Sequence, residues 1–597
     1  VSDLSEQQTQ HAPGAQSAAT ESGGPRAGGS RGGSSGVAAR LHAALLKPGV
    51  AFYAWFIPVV LTILGGALRL YRLGFPHSLV FDETYYVKDG YALWQSGYER
   101  NWTKEANDAF NQGDPSGLLE AGEYVVHPPL GKWLIGAGEQ IFGVQSSFGW
   151  RFAAAVFGAL SIFILARLAI RLFKSVWLGS LAGLLLAVDG EHFVHSRTSL
   201  LDLFVMFFVL LGFAFLLIDK EWADLTLARR LGLEPADPGA RPGAVSRFRA
   251  LASGLYRTAF LPGPQDLGSG PGLGWRPWRI AAGLSLGCAM GVKWSGIYVL
   301  AVFGILTVLW DLGRRRRAGL LGRWRGWFFK DAIPAFVSLV PVALIVYVLC
   351  WSGWIFTSGG YGRDWAEQNS GWWSGLPDWL VSLAHYHYTA YKFHVGLDSE
   401  HPYMSNPWGW IVQWRPTSFY YKSPELGEAG CAVDHCSAAI TSVGNPVIWG
   451  LAPIAVLGML FVWIVRRDWR TGAILAGLLA AWGPWFTYQH RTIFTFYTIV
   501  MVPFVVLAVV YLLGVIWGDA DRVSTGRSGF GSGFGGSGLG SGARFAVSPR
   551  ALFWRRMAVG LIVALAVLAF AFFYPVYTGE TIPYEDWRNR MFNASWI

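Results

Sequence analysis

The chain has 597 residues, of which 53% are hydrophobic and 14% charged, with 31 tryptophans and a formal net charge of +10. That balance excludes a soluble globular domain of this length and points to a polytopic membrane protein. The positive charge does not argue for nucleic acid, because the basic residues cluster between apolar segments, as cytoplasmic loops of membrane proteins require.

Residues 1–47 are rich in Gly, Ser, Ala and Gln and poor in large apolar side chains, so they are expected to form a disordered cytoplasmic tail. No cleavable signal peptide is evident, and the first span is expected to direct insertion. A window of about 20 residues then places spans near 51–74, 150–172, 176–190, 200–218, 279–292, 296–312, 333–356, 446–465, 472–488, 492–517 and 557–575. Basic loops around Arg171, Arg229 to Arg279, Arg314 to Arg317, Arg466 to Arg470 and Arg555-Arg556 fall on one side. This puts the amino terminus in the cytoplasm and the carboxyl terminus outside.

The expected organisation is a membrane module at 48–220 carrying an external loop at 75–149, a cytoplasmic linker at 221–276 and central spans at 277–356. An external aromatic-rich loop at 357–445 follows, then C-terminal spans at 446–577 with a Gly-rich cytoplasmic loop at 518–550, and an external tail at 578–597.

The polar residues that read as functional gather in the external segments. Asp82 and Glu83 lie just beyond the first span among Phe81, Tyr85, Tyr86, Tyr91 and Trp94, neighbours that desolvate a carboxylate and make it a better base. The competing reading is an ordinary solvated turn. Pro128-Pro129 start a helix in which Leu130, Trp133, Leu134, Ala137 and Ile141 form an apolar face suited to the membrane interface.

Arg151, Arg197, Lys293, His490 and Arg491 stand at external helix ends, where cations could meet a phosphate. Each taken singly also reads as a side chain snorkelling to headgroups. The Trp, Tyr and His side chains of 357–445 are either interface anchors or a sugar platform. His385, His387 and His394 lack a carboxylate or cysteine to complete a helix-spaced set, so no metal is expected. Cys431 and Cys436 share a polar loop on the oxidising side, where a short disulfide is permitted.

Phe81-Asp82-Glu83-Thr84 followed by His127-Pro128-Pro129-Leu130-Gly131-Lys132 resembles the protein O-mannosyltransferases, integral-membrane glycosyltransferases of the GT-C type. Asp189 to Asp202, with Ser196-Arg197 and Leu200-Leu201-Asp202, and Gly291-Val292-Lys293-Trp294-Ser295-Gly296 agree with the same family in the same order. His401-Pro402-Tyr403 and Pro407-Trp408-Gly409-Trp410 resemble its external segment before the last spans. The resemblance covers the chain from about Ala51 to Tyr577. It implies an all-α polytopic GT-C fold with about eleven transmembrane helices of roughly 20 residues and interfacial helices in the first external loop.

The same resemblance implies Asp82 as the catalytic base with Glu83 orienting it. It matches Arg151 and Lys293 to the family's arginine and lysine; with the other cations at external helix ends, Arg491, His490 and Arg197, they would hold the donor phosphate, and the substrate cleft would include His127, Tyr86, His401 and Tyr403. The implied reaction moves mannose from polyprenyl-phosphate mannose to Ser or Thr hydroxyls of secreted or membrane proteins, with inversion, at the external face of the plasma membrane. The lipid-linked sugar is a substrate, so no cofactor is expected, and the acceptors could be met at the secretion translocon. Loop 357–445 is too short for the β-trefoil domain of eukaryotic members, which suggests a bacterial, actinobacterial-like one. The alternatives are a GT-C enzyme acting on a lipid or cell-wall glycan, and a transporter, which predicts ionisable groups near mid-membrane.

Overall fold

The computed structural model describes residues 50–231, 268–369, 371–518 and 548–597. The expected tail at 1–47, and most of the linker at 221–276 and the Gly-rich loop at 518–550, lie outside the described residues. The chain divides after Phe52 into two compact units. The described part of the first is the opening turn of α1, and the unit Tyr53–Ile597 holds the remainder.

In chain order the principal helices are α1 (Val50–Leu70), α2 (Glu83–Ser96), α3 (Leu130–Phe142), α4 (Ser147–Phe173), α5 (Val176–Ala187), α6 (Gly190–His195), α7 (Leu201–Arg230) and α8 (Pro277–Val292). They continue with α9 (Gly296–Arg317), α10 (Ile333–Cys350), α11 (Asp378–Val395), α12 (Pro446–Arg466), α13 (Trp469–Trp482), α14 (Val502–Trp517) and α15 (Pro549–Thr578). Each segment expected to span contains a helix. Among the described residues, seven helices are long and apolar enough to cross a membrane, and α5 and α14 are shorter apolar ones. A count of eleven crossings therefore does not follow from helix length.

Helix starts follow side-chain chemistry. Ser146, Ser175, Asp189, Asn445 and Ser548 each accept a hydrogen bond from a backbone N–H two or three residues on, just where α4, α5, α6, α12 and α15 begin. Asp189 does more than cap. Its second oxygen accepts from the Asn445 N–H and the Trp449 indole, tying α6 to α12.

Three expectations need correction. Helix α7 does not end near 218 but runs to Arg230, and it is the most buried of the seven long apolar helices. The segment expected to span from 492 begins as an irregular stretch with a 3₁₀ turn at Thr495–Val500, and α14 starts only at Val502, where Pro503 occupies the first turn.

The third correction concerns the loops read as mere linkers. Arg276 and Arg279 are buried against Asp219 and Asp311, Arg314 joins Asp311 at 2.6 Å, and Arg315 meets Asp331 at 2.5 Å. This ion network locks the ends of α7, α8 and α9, about 25 Å along α7 from Asp202 at about 1.5 Å per residue. Basic residues there serve packing as well as topology.

Helix α3 packs Leu130 and Leu134 against the core and turns out apolar surface at its C-terminal end, Ile141 and Phe142. Gly131, Lys132, Ile135, Gly136, Gly138 and Glu139 are buried, while Ile141 is 67% exposed. The glycines let backbones touch: a Cβ on Gly136 would collide with the Gly90 carbonyl of α2, and one on Gly138 with the Gly149 carbonyl of α4. Lys132 is buried between Asp89, at 3.6 Å, and Glu99. The outward apolar face is what an interfacial helix presents to lipid.

Two small sheets complete the site face. β1 (Arg100–Trp102) pairs antiparallel with β2 (Leu118–Gly122). β3 (Thr417–Lys422), β4 (Cys436–Ser442) and β5 (Thr581–Pro583) form an antiparallel sheet in that order. Cys431 and Cys436 are joined in a disulfide at the start of β4.

Gly136→Ala should force α2 and α3 apart and cost about 1–3 kcal/mol, the usual penalty for overpacking a close contact. Thermal unfolding of the detergent-purified variant checks this; an unchanged midpoint would mean the two helices are not held backbone to backbone.

Candidate functional site

The two adjacent carboxylates take opposite environments. Glu83 is fully buried: one oxygen accepts from Arg151 Nε (2.8 Å) and the Ser199 N–H (2.9 Å), the other from Arg151 Nη2 (2.8 Å) and the Val80 N–H (3.0 Å). Every strong acceptor direction of that carboxylate is used inside the protein. Asp82 instead occupies the N-cap position of α2 without capping it, and among the described residues its side chain accepts a hydrogen bond only from the Tyr86 hydroxyl, at 3.3 Å. Phe81 holds a left-handed φ of 49°, pinned by stacking on Phe419 at 4.7 Å and an edge contact with Phe496 at 5.4 Å. That bend sends Asp82 and Glu83 to different sides.

Two of the expected phosphate ligands are committed elsewhere. Arg151 donates to Glu83 and to the carbonyls of Leu73, Pro76 and Ser78, which uses its whole guanidinium fork. Arg197 donates to the carbonyls of Leu68, Arg69, Tyr71 and Arg72, closing the C-terminal end of α1. Both arginines shape the site without reaching it, so neither is placed to hold a phosphate.

A cavity of ≈ 260 Å³ lies between the starts of α7 and α9, the end of α11 and the segment 484–497. Lys293 and Arg491 supply its cations; His127 and His394 line it as well. Lys293 is paired with Asp202 at 2.8 and 3.0 Å and lies over the Tyr497 ring at 5.1 Å. Arg491 donates to His394 Nδ1 at 3.3 Å, and its Nε has no partner among the described residues. His394 Nε2 donates to the Val126 carbonyl at 2.8 Å, which fixes Nδ1 as the acceptor.

Electrostatics connects Asp82 to this cavity. Burial pushes the Asp82 carboxyl up to about 6; the positive charge of Lys293 and the Tyr86 hydrogen bond oppose the rise, and Asp202 adds to it. Burial also holds His127 well below the usual imidazole range and His394 down to about 4, with nearby Lys293 and Arg491 acting in the same sense. Near neutral pH the two histidines of the cavity are thus neutral, Lys293, Arg491 and Asp202 line it with them, and Asp82, outside the lining, is raised toward the range in which it takes up a proton.

The remaining expected residues divide. His127 lines the cavity, stacked on His394 at 5.2 Å, and Tyr86 stands behind it at 6.2 Å. His490 is exposed and is not part of the lining. His401 packs edge-on against Phe494 and Tyr403 stands under Arg415, and neither lines the cavity.

Asp202, His394, Tyr298, Tyr488 and Tyr497 line the site without having been singled out for it. The signal for Asp202 is an acid in the first turn of a span, which needs a cation, and Lys293 supplies one.

The profile described as dolichyl-phosphate-mannose-protein mannosyltransferase matches residues 59–231 and 271–357. The profile for the C-terminal four-span region of protein O-mannosyltransferase matches 380–596. The chain is 32% identical to the polyprenol-phosphate-mannose–protein mannosyltransferase of Mycolicibacterium smegmatis, over 91% of this chain and 93% of that protein. It is 31% identical to the protein of the same description from Mycobacterium tuberculosis, over 91% and 92%. In fold it is similar to the Saccharomyces cerevisiae protein O-mannosyltransferase Pmt1–Pmt2 complex bound to the sugar donor, with a TM-score of 0.59 over 93% of this chain and 94% of that one, at 14% identity.

Glu83→Gln should unfold the protein more readily than Asp82→Asn. The first strands a buried Arg151, at a typical cost of about 3–5 kcal/mol, whereas the second removes a desolvated charge and leaves a fold within about 1 kcal/mol of the parent. Thermal unfolding of both variants measures the difference. An Asp82→Asn protein that is the less stable of the two would reverse the roles assigned here.

Proposed function

The chain belongs to the dolichyl-phosphate-mannose–protein mannosyltransferase family, and we propose from that premise how its cavity carries out the transfer. It is a GT-C membrane glycosyltransferase that moves mannose from a polyprenyl-phosphate donor to proteins. Relatives named for protein acceptors favour this over a lipid or cell-wall glycan acceptor and over a transporter. Its acceptors are Ser and Thr hydroxyls of secreted or membrane proteins, met outside the cytoplasm at the plasma membrane, with the secretion translocon as the place of encounter.

The observation that carries the mechanism is a desolvated, weakly held carboxylate, Asp82, in electrostatic contact with a cavity that contains Lys293 and Arg491. Asp82 takes the proton of the acceptor hydroxyl. The freed oxygen pair attacks the anomeric carbon opposite the phosphate, and the bond from that carbon to the phosphate oxygen breaks, so configuration inverts. The leaving polyprenyl phosphate keeps the electron pair, and its growing charge is met by the unpartnered Nε of Arg491 and by Lys293. Glu83 and Arg151 act by positioning the turn, with no contact to the reacting atoms.

Because Asp82 must be ionised to act, and burial places its titration near 6, kcat/KM should fall about tenfold per pH unit below that point and level off above it. His127 and His394 titrate lower, so no second inflection is expected between pH 6 and 8. A profile flat down to pH 4.5 would remove Asp82 as the base. Asp82→Asn should lower transfer to a Thr peptide by a factor of about 10² to 10⁴.

Arg491→Ala should reduce kcat/KM for the donor by about 2–4 kcal/mol equivalent in the transition state. Steady-state kinetics at varied donor checks this. A variant with parental kinetics at limiting donor would show that the phosphate is held elsewhere.

A further inference from the structure

Of the three histidines on α11, His394 alone lines the cavity. His387 stands two turns earlier on the same face, outside the lining, yet both its nitrogens are engaged. Nδ1 meets the Leu383 carbonyl at 2.7 Å, and a carbonyl only accepts, so Nδ1 carries the proton. Burial holds the ring below the usual imidazole range, which leaves it neutral with Nε2 as an acceptor. The Tyr347 hydroxyl, near the end of α10, donates to that nitrogen at 2.5 Å and accepts from the Trp294 indole at 2.8 Å. An indole N–H only donates, so the direction of every hydrogen bond along this chain is fixed.

Trp294 stands where the two cations of the cavity meet. It follows Lys293 in the turn between α8 and α9, which is closed by hydrogen bonds from the Gly296 N–H to the Lys293 carbonyl at 3.1 Å and from the Ile297 N–H to the Trp294 carbonyl at 2.9 Å. Its ring lies on His387 at 5.6 Å, with 22° between the planes, and meets the edge of His394 at 5.7 Å. His394 is the residue to which Arg491 donates. A rotation of this one indole would therefore displace the turn that carries Lys293 and the imidazole that orients Arg491. Trp351 packs on His387 at 5.0 Å and closes the assembly on the side of α10.

We propose that His387 is a positioning residue for the donor phosphate: through the Tyr347 hydroxyl it fixes the Trp294 indole, and that ring holds Lys293 and the His394–Arg491 pair at their mutual spacing. The assignment rests on the mannosyl-transfer reading above. His387 touches no substrate. Its effect is on preorganisation, which counts most where charge develops on the departing phosphate and the donors must already be aimed.

The full chain, purified in detergent, is assayed with polyprenyl phosphate mannose and a Thr peptide. His387→Phe keeps a ring against Trp294 and removes the acceptor, and Tyr347→Phe removes the hydroxyl; neither side chain lines the cavity. Each should lower kcat/KM for the donor about tenfold while KM for the peptide stays within about twofold of the parent. Because both substitutions cut one chain, the double variant should lose no more than either single one. His387→Gln places an amide oxygen where Nε2 stood and should restore donor use to within about twofold of the parent.

Parental donor kinetics in either folded phenylalanine variant overturns the assignment. Losses that multiply in the double variant overturn it too, as does a His387→Gln protein as impaired as His387→Phe. An equal loss on donor and peptide makes His387 a packing residue and nothing more. Should His387→Phe fail to fold, Tyr347→Phe set against His387→Gln reads the same chain. A parent protein that transfers mannose from this donor to no peptide overturns the mannosyl-transfer reading instead.

Discussion

Arg151 rises from the first turn of α4 and donates its whole guanidinium fork to Glu83 and to the carbonyls of residues 73, 76 and 78, so the turn carrying Asp82 is fixed to the neighbouring helix before any substrate arrives. Removing either member of such a buried pair is costly, because the survivor is left charged in a poor solvent. The pair therefore acts as a permanent clamp, and Ser199 joins α7 to the same carboxylate. With Glu83 turned inward and Phe81 held in its left-handed bend, Asp82 is the carboxylate left over. Its burial raises its basicity, while Lys293 and the hydrogen bond from Tyr86 keep the ionised form accessible.

The same division of labour runs through the cations. Arg151 and Arg197 lie at helix ends that look suited to phosphate, yet both are consumed by backbone carbonyls. Lys293 is balanced by Asp202, so a phosphate entering the cavity meets a lysine already ordered by its own carboxylate. Arg491 differs from the others in having Nε without a partner and a neutral histidine as its neighbour. A guanidinium with spare donors is the natural place for charge that develops only as the sugar departs.

Much of this was legible in the chain. Apolar runs locate the helices, the Asp82-Glu83 turn, Lys293 and Arg491 stand out as charged groups next to membrane spans, and His127 enters through the family resemblance of its motif. Sequence could not tell which of the two consecutive carboxylates is taken up by Arg151 and the Ser199 N–H, because those partners lie far along the chain. It could not separate Arg151 from Arg491, since carbonyls from distant loops decide which guanidinium is satisfied. The Asp219, Asp311 and Asp331 pairings were hidden for the same reason, their arginines having been read as topology signals. The stretch before α14 reads as part of a span because of its apolar composition, although Pro503 marks where the helix starts.

The most direct test of this division is a cryo-EM structure of the full chain with a polyprenyl phosphonate analogue of the mannose donor, which cannot be cleaved. The account predicts phosphonate oxygens within hydrogen-bond distance of Arg491 and Lys293, the anomeric carbon turned toward Asp82, and the Glu83–Arg151 pair undisturbed. Phosphonate bound to Arg151 or Arg197, or an anomeric carbon facing Glu83, would contradict it.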